Sequence, residues 1–148
     1  MFVISTRNFP PEVGGMQNLM GGLATALINH GPVKVFADKS ENFEKYDSLS
    51  KVEIERFGGI KLLRKYRKAN EITNYIKNNH NIRSIFFDHW KSAEKINFEF
   101  IKNIPTFCLI HSKEINHLKG SGLNKRLLNS IEKVKYVIAN SNFTKNLA

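Results

Sequence analysis

Apolar positions along this chain switch between two periods. Met1 to Ser5 is a short continuous apolar run and predicts a first strand. From Met16 to His30 the apolar residues are Met16, Leu19, Met20, Leu23, Ala24, Leu27 and Ile28. That spacing puts them on one face of a helix. Gly31-Pro32 ends the helix, with a glycine after its last turn and a proline that cannot continue it. Val33 to Ala37 predicts a second strand, and Val52 to Phe57 a third at an edge. Ile60 to Asn78 predicts a long helix, because Leu62, Leu63, Tyr66, Ala69, Ile72, Tyr75 and Ile76 recur at helical spacing. A fourth strand is expected at Ser84 to Asp88, a helix at Lys91 to Asn103, and a fifth strand at Thr106 to His111. Leu123 to Lys133 reads as helical, Tyr136 to Asn140 as a sixth strand, and Ser141 opens a further helix.

Strands apolar on both faces, alternating with helices, argue a mostly parallel sheet covered on both sides. The fold class expected is therefore α/β, a Rossmann-like three-layer domain over 1–148. Ligands of such sheets bind beyond the carboxyl ends of the strands, so the informative residues are those that follow strands one, four, five and six.

After strand one comes Arg7 to Gly15, a loop with two prolines and two glycines. Gly14 and Gly15 lack a Cβ, so backbone there can approach a ligand closely. They also place free N–H groups and the positive end of a helix dipole at one point, which suits a phosphate. The same residues also fit a tight strand-to-helix turn with no ligand. The dinucleotide pattern G-x-G-x-x-G is missed by Gly14, Gly15, Gly21 and Gly22. Asp38, just after strand two, does stand about where a ribose-binding acid would. A non-catalytic domain for a nucleotide or other phosphorylated ligand is thus the alternative. Gly21 and Gly22 lie within the helix, and close packing on the sheet is the reason expected for them.

Phe87-Asp88-His89-Trp90 follows strand four, and Ile110-His111-Ser112-Lys113-Glu114 follows strand five. A histidine leaving an apolar strand at the ligand edge can donate to a hydroxyl or phosphate oxygen, or act as a base near neutral pH. Either could equally be a surface histidine. Neither a metal site nor a nucleophile triad has the required partners. After strand six, Ala139-Asn140-Ser141-Asn142-Phe143-Thr144 holds residues able to cap the next helix.

Taken in order, these stretches resemble the acceptor-side domain of family 4 of the retaining glycosyltransferases, which have the GT-B fold. The resemblance rests on Phe9-Pro-Pro-Glu-Val-Gly-Gly-Met-Gln, continued by Leu23-Ala-Thr-Ala-Leu and Gly31. It rests also on His111 after strand five and on Val137-Ile-Ala-Asn-Ser-Asn-Phe-Thr-Lys. Pro32 stands where that family usually has histidine. The resemblance implies one half of a GT-B fold, with a donor-binding C-terminal domain facing it across a cleft and absent from this chain. It implies a glycosyltransferase that moves a sugar from a nucleotide-diphosphate sugar to a saccharide or lipid-linked acceptor, with the chain inactive alone. Gly14 and Gly15 would approach the donor diphosphate, and His111 would be the catalytic residue. Glu12, Gln17, Asp88, His89, Lys113 and Ser141 would contact substrate. No cofactor beyond the donor sugar is implied. No metal is implied either, since the only aspartates are Asp38, Asp47 and Asp88 and no Asp-x-Asp pair exists.

Composition adds a partner question. The net charge of +10 suits anions, although abundant Lys, Asn, Ile and Phe also fit an AT-rich coding sequence. No RNP-like or helix-turn-helix pattern is present, so nucleic acid is not the expected partner. Lys61-Leu-Leu-Arg-Lys-Tyr-Arg-Lys carries five positive charges in eight residues around Leu62, Leu63 and Tyr66. Such a stripe can lie on an anionic membrane, unless those leucines are needed to cover the sheet. Cys108, the single cysteine, sits in an apolar run and reads as a core residue. The start on a strand, without a charged and then apolar leader, points to the cytoplasm, with peripheral contact at the inner face of the membrane.

Overall fold

A computed structural model describes the backbone of residues 1–147, with all their side chains except Lys113, Glu114 and Leu147. It is an α/β domain with six parallel strands: β1 (Phe2–Ser5), β2 (Val33–Asp38), β3 (Glu53–Phe57), β4 (Ser84–Phe87), β5 (Thr106–Ile110) and β6 (Tyr136–Ala139). The spatial order is β3-β2-β1-β4-β5-β6. The chain winds outward from β1 to β3 and then crosses back to β4. The direction of winding reverses between β1 and β4, where Ser5 lies opposite Phe87. A crevice opens at such a reversal.

The helices are α1 (Gly15–Ile28), α2 (Phe43–Leu49), α3 (Lys61–Asn78), α4 (Trp90–Ala93), α5 (Ser112–Ile115), α6 (Gly122–Ile131) and α7 (Asn142–Leu147). Side chains alternate across each strand, which gives the sheet two cores. Val3, Phe36, Ile85, Phe87, Cys108 and Ile110 meet Ala69, Ile72 and Ile76 of α3, with Trp90 and Leu127. Phe2, Ile4, Val35, Ala37 and Leu109 meet Met20 and Ala24 of α1 on the other face.

Three local expectations change. Lys91 to Asn103 is not one helix: α4 is a single turn, and a separate 3₁₀ turn spans Phe98–Ile101. Asn97 breaks the run with an extended backbone, and its side chain accepts from the Glu99 N–H at 3.1 Å. An asparagine that can bond its own backbone competes with the helix in this way. The short helices α2 and α5 also occupy segments read as irregular. Leu62, Leu63 and Tyr66 do not cover the sheet; they are 59%, 58% and 46% exposed. Ala69, Ile72 and Ile76 perform that task one turn later.

The two sheet edges differ. β3 carries Glu53 and Glu55, which hold Lys34 of β2 at 2.7 and 3.1 Å. Tyr136, Val137 and Ile138 of β6 are apolar and more than two-fifths exposed.

Candidate functional site

The candidate site is the carboxyl edge of the sheet around the reversal point. Its organising residue is Asp88, one step beyond β4 and fully buried. One carboxylate oxygen, Oδ2, accepts from the Thr6 hydroxyl and from the Arg7 N–H, both at 2.8 Å. The other, Oδ1, accepts from Ser92 at 2.5 Å. The loop after β1 is thereby tied to the loop after β4. The Thr6 hydroxyl has one proton, and the Asn8 carbonyl at 2.8 Å is a second acceptor within its reach. Asp88 was expected to touch substrate; as placed, its oxygens brace the two loops that form the crevice.

A second tie crosses the same edge. The Lys68 ammonium of α3 donates to the Thr6 carbonyl and to Asp38 Oδ1, each at 2.7 Å. Burial pushes Lys68 below the ordinary lysine range, and Asp38 opposes that shift. Arg64 reaches Asp38 Oδ2 at 3.2 Å. Each Asp38 oxygen therefore holds a cation. By sequence, Lys68 counts in the basic segment Lys61 to Lys68 on the solvent or membrane side, whereas the structure buries it. Its signal was there: it lies on the apolar side of α3, one turn before Ile72.

The glycine loop is fixed from outside. Phe9 is buried in the α1-side core. Arg56 of β3 donates to the Pro10 carbonyl and pairs with Asp47 at 2.7 Å. Its guanidinium also lies over Phe9, 5.5 Å from the ring centre. Gly14 is the extended cap residue of α1, and no side chain caps that helix. Among the described residues, the first N–H groups of α1 thus have no side-chain acceptor. A Cβ at Gly15 would meet nothing within 4 Å, so this point is open. At Gly14 a Cβ would meet the end of the Gln17 side chain at 2.3 Å. Gln17 itself bonds Glu12 at 3.3 Å on the exposed rim.

The packing reason expected for the two helical glycines needs correction. A Cβ at Gly21 would meet Pro10 Cγ at 2.9 Å, so Gly21 packs on the proline loop and not on the sheet. Gly22 is exposed and has open space around it.

His89 is buried, and its Nδ1 accepts from the Lys91 N–H at 2.9 Å, capping α4. His111 leaves β5 at the edge with an extended backbone and is half-buried. Its Nε2 is shielded from solvent and has no hydrogen-bond partner among the described residues. Ser141 caps α7 by accepting from the Thr144 N–H at 3.1 Å. Lys113 belongs to α5 by its backbone, and its side chain lies outside the described residues. Asp88 and His89 follow β4, His111 follows β5, and Gly14 and Gly15 close the loop that follows β1. Ser141 stands beyond them, after β6.

No protein-family model matches the chain, and no curated protein sequence matches it. Among solved structures, the apo form of UGT2 from Phytolacca americana, a plant UDP-glycosyltransferase, is similar in fold. The similarity has a TM-score of 0.62 at 8% identity and covers 95% of this chain. It covers 45% of that chain, so the present chain spans less than half of its length. The likeness is one of fold alone.

Proposed function

We propose that the chain is the acceptor-side domain of a retaining glycosyltransferase of family 4, one half of a GT-B fold. In this reading it works with a facing donor-binding domain, and a sugar passes from a nucleotide-diphosphate sugar to a saccharide or lipid-linked acceptor. The observation that carries it is the open, uncapped start of α1 at Gly14-Gly15, held at the carboxyl edge by Arg56 and Asp88. Backbone N–H groups there can meet the donor diphosphate without a metal. His111 stands half-buried at the same edge, its shielded Nε2 without a hydrogen-bond partner among the described residues, and on this reading its ring serves a hydroxyl of the reacting sugar or acceptor.

In the complete enzyme, Gly15→Val is expected to cut turnover about a hundredfold, the scale for losing one preorganised anion contact. Its fold should be intact, because the added side chain meets open space. His111→Ala should cost about tenfold, near 1.4 kcal/mol of barrier. Gly22→Ala should leave turnover alone and stabilise α1 by up to about 1 kcal/mol. Steady-state kinetics with thermal melts separate the three. Parental turnover in Gly15→Val would reject the phosphate-loop role.

Peripheral contact with an anionic membrane belongs to the same proposal. Ile60, Leu62, Leu63 and Tyr66 are exposed at the start of α3 beside Lys61 and Arg67, free of any duty in the core. Among the described residues, no helix is long and apolar enough to cross a membrane. Flotation with anionic vesicles should show association that 0.5 M salt removes, since about 1 kcal/mol per basic residue is electrostatic. No flotation at low salt would end this part of the reading.

A further inference from the structure

A cavity of about 380 Å³ lies between the first half of α3, α4 and α6, and reaches Ser5 at the end of β1. Its size is that of a small-molecule site. Among the described residues, eight of its lining side chains are cationic and two are carboxylates. The chain has 23 lysines and arginines in all, so a third of them converge on one hollow. A basic composition alone would spread them over the surface.

These cations are not a solvated fringe. The side chains of Lys68, Arg64, Lys65 and Lys95 are 6%, 21%, 29% and 30% exposed. Five cations share the two carboxylates. Lys68 and Arg64 hold Asp38. Arg126 holds Glu94 at 2.8 Å, while Lys65 and Lys95 stand off at 3.7 and 3.9 Å. Arg7, Lys61 and Lys91 add their charges to the lining. The hydrogen bond from Arg126 holds the Glu94 carboxyl below its usual range, against burial, with Lys65 and Lys95 assisting. Among the described residues the lining thus carries eight cations against two carboxylates, and part of that charge is desolvated.

We propose that this cavity binds a ligand through phosphoryl groups, with two linked groups fitting better than one. Each terminal phosphoryl group brings roughly −1.5 to −2 charges and three acceptor oxygens. Guanidinium forks and ammonium points are the side chains that match such oxygens. A single carboxylate would leave most of the excess unanswered. Leu62, Ala69, Ile72 and Leu123 give the cavity an apolar wall, so the rest of the ligand has a surface to rest on. Most of the lining comes from α3, α4 and α6, and Ser5 and Arg7 bring in the start of the loop that leads to Gly14-Gly15.

The test uses the 148-residue chain and two probes, pyrophosphate by calorimetry and vesicles containing phosphatidic acid by flotation. The variant is Lys65→Gln with Lys95→Gln, which removes two charges and leaves the Arg126–Glu94 and Lys68–Asp38 pairs in place. A control pair, Lys45→Gln with Lys51→Gln, makes the same charge change at exposed sites in α2 and before β3. Circular dichroism checks that both fold. Saturable pyrophosphate binding, weakened at least tenfold by the cavity pair and less than twofold by the control pair, supports the proposal with a soluble ligand. Association with phosphatidic acid vesicles only, lost in the cavity pair, supports it with a lipid headgroup. Equal weakening by both pairs, or no binding of either probe, overturns it. Binding lost in Gly15→Val but kept in the cavity pair also overturns it, and leaves the glycine-loop reading standing.

Discussion

Asp88→Ala is expected to lose about 3–5 kcal/mol of folding stability, the range for removing one partner of a buried charged network. The carboxylate is fully buried and accepts from Thr6, the Arg7 N–H and Ser92. Alanine would strand the Arg7 N–H and the Ser92 hydroxyl. Each buried unpaired group costs roughly 1–3 kcal/mol. It would also remove a negative charge that helps hold the buried Lys68 ammonium in its charged form. The melting temperature should fall on the order of 10 °C for a domain of this size. Asp88→Asn separates geometry from charge. Its amide oxygen can keep the two donors at the Oδ2 position, and its NH₂ can donate to Ser92 in reversed sense. Asparagine should therefore retain most of the stability that alanine loses. Urea unfolding of the three proteins measures this. A loss under 1 kcal/mol in Asp88→Ala would show that the two loops are held by something else.

The second large effect concerns chemistry. On the glycosyltransferase reading, the 148-residue chain by itself should show no sugar transfer. Its architecture corresponds to 45% of the similar UGT2 chain. The site described above offers backbone N–H groups, one histidine and a rim, and these can meet only one side of a donor. A sugar not held from the other side is neither positioned nor oriented. Positioning of reactants is worth roughly 7–11 kcal/mol, so the expected rate is lower by at least five orders of magnitude. A panel of nucleotide sugars and acceptors, read by release of the free nucleotide, is the measurement. Turnover by this chain above a buffer control would reject the two-domain reading and would require the whole active site to lie on this edge.

The fold was legible because its strands are short, apolar and separated by helices with clear faces. The six strands lie within two residues of where periodicity puts them. Val33 to Ala37 is a case in point: buried on both faces, its apolar run had one structural meaning. The helices missed were the short ones. Phe43, Tyr46 and Leu49 recur at three-residue spacing in α2, but over seven residues only, and none is fully buried. The failed helix from Lys91 to Asn103 had the opposite fault. Ala93, Ile96 and Ile101 are all buried, but on separate turns that a local bond at Asn97 keeps apart.

The candidate site was legible only by position. Strand ends told where ligands of such sheets sit; His111 follows β5, and Gly14 and Gly15 close the loop after β1. Whether a polar residue there faces a ligand or its own backbone is set by contacts distant in sequence. Asp88 and Thr6 are 82 residues apart, and no local pattern foretells their bond. Lys68 is the instructive case. A lysine among Ala69, Ile72 and Ile76 breaks its face, and that break marked a buried charge with partners at the ends of β1 and β2.

The unequal edges of the sheet give the molecule a direction of growth. A newcomer strand approaching β3 would have to displace the Glu53 and Glu55 ion pairs and set its own backbone among charges. One approaching β6 would find unpaired N–H and C=O groups and the uncharged side chains of Tyr136, Val137 and Ile138. Open apolar edges of this kind act as templates for pairing. An added strand is therefore better received beside β6 than beside β3. A tag or fused partner joined near β6 will compete with whatever strand docks there, while one placed beside β3 leaves that flank undisturbed.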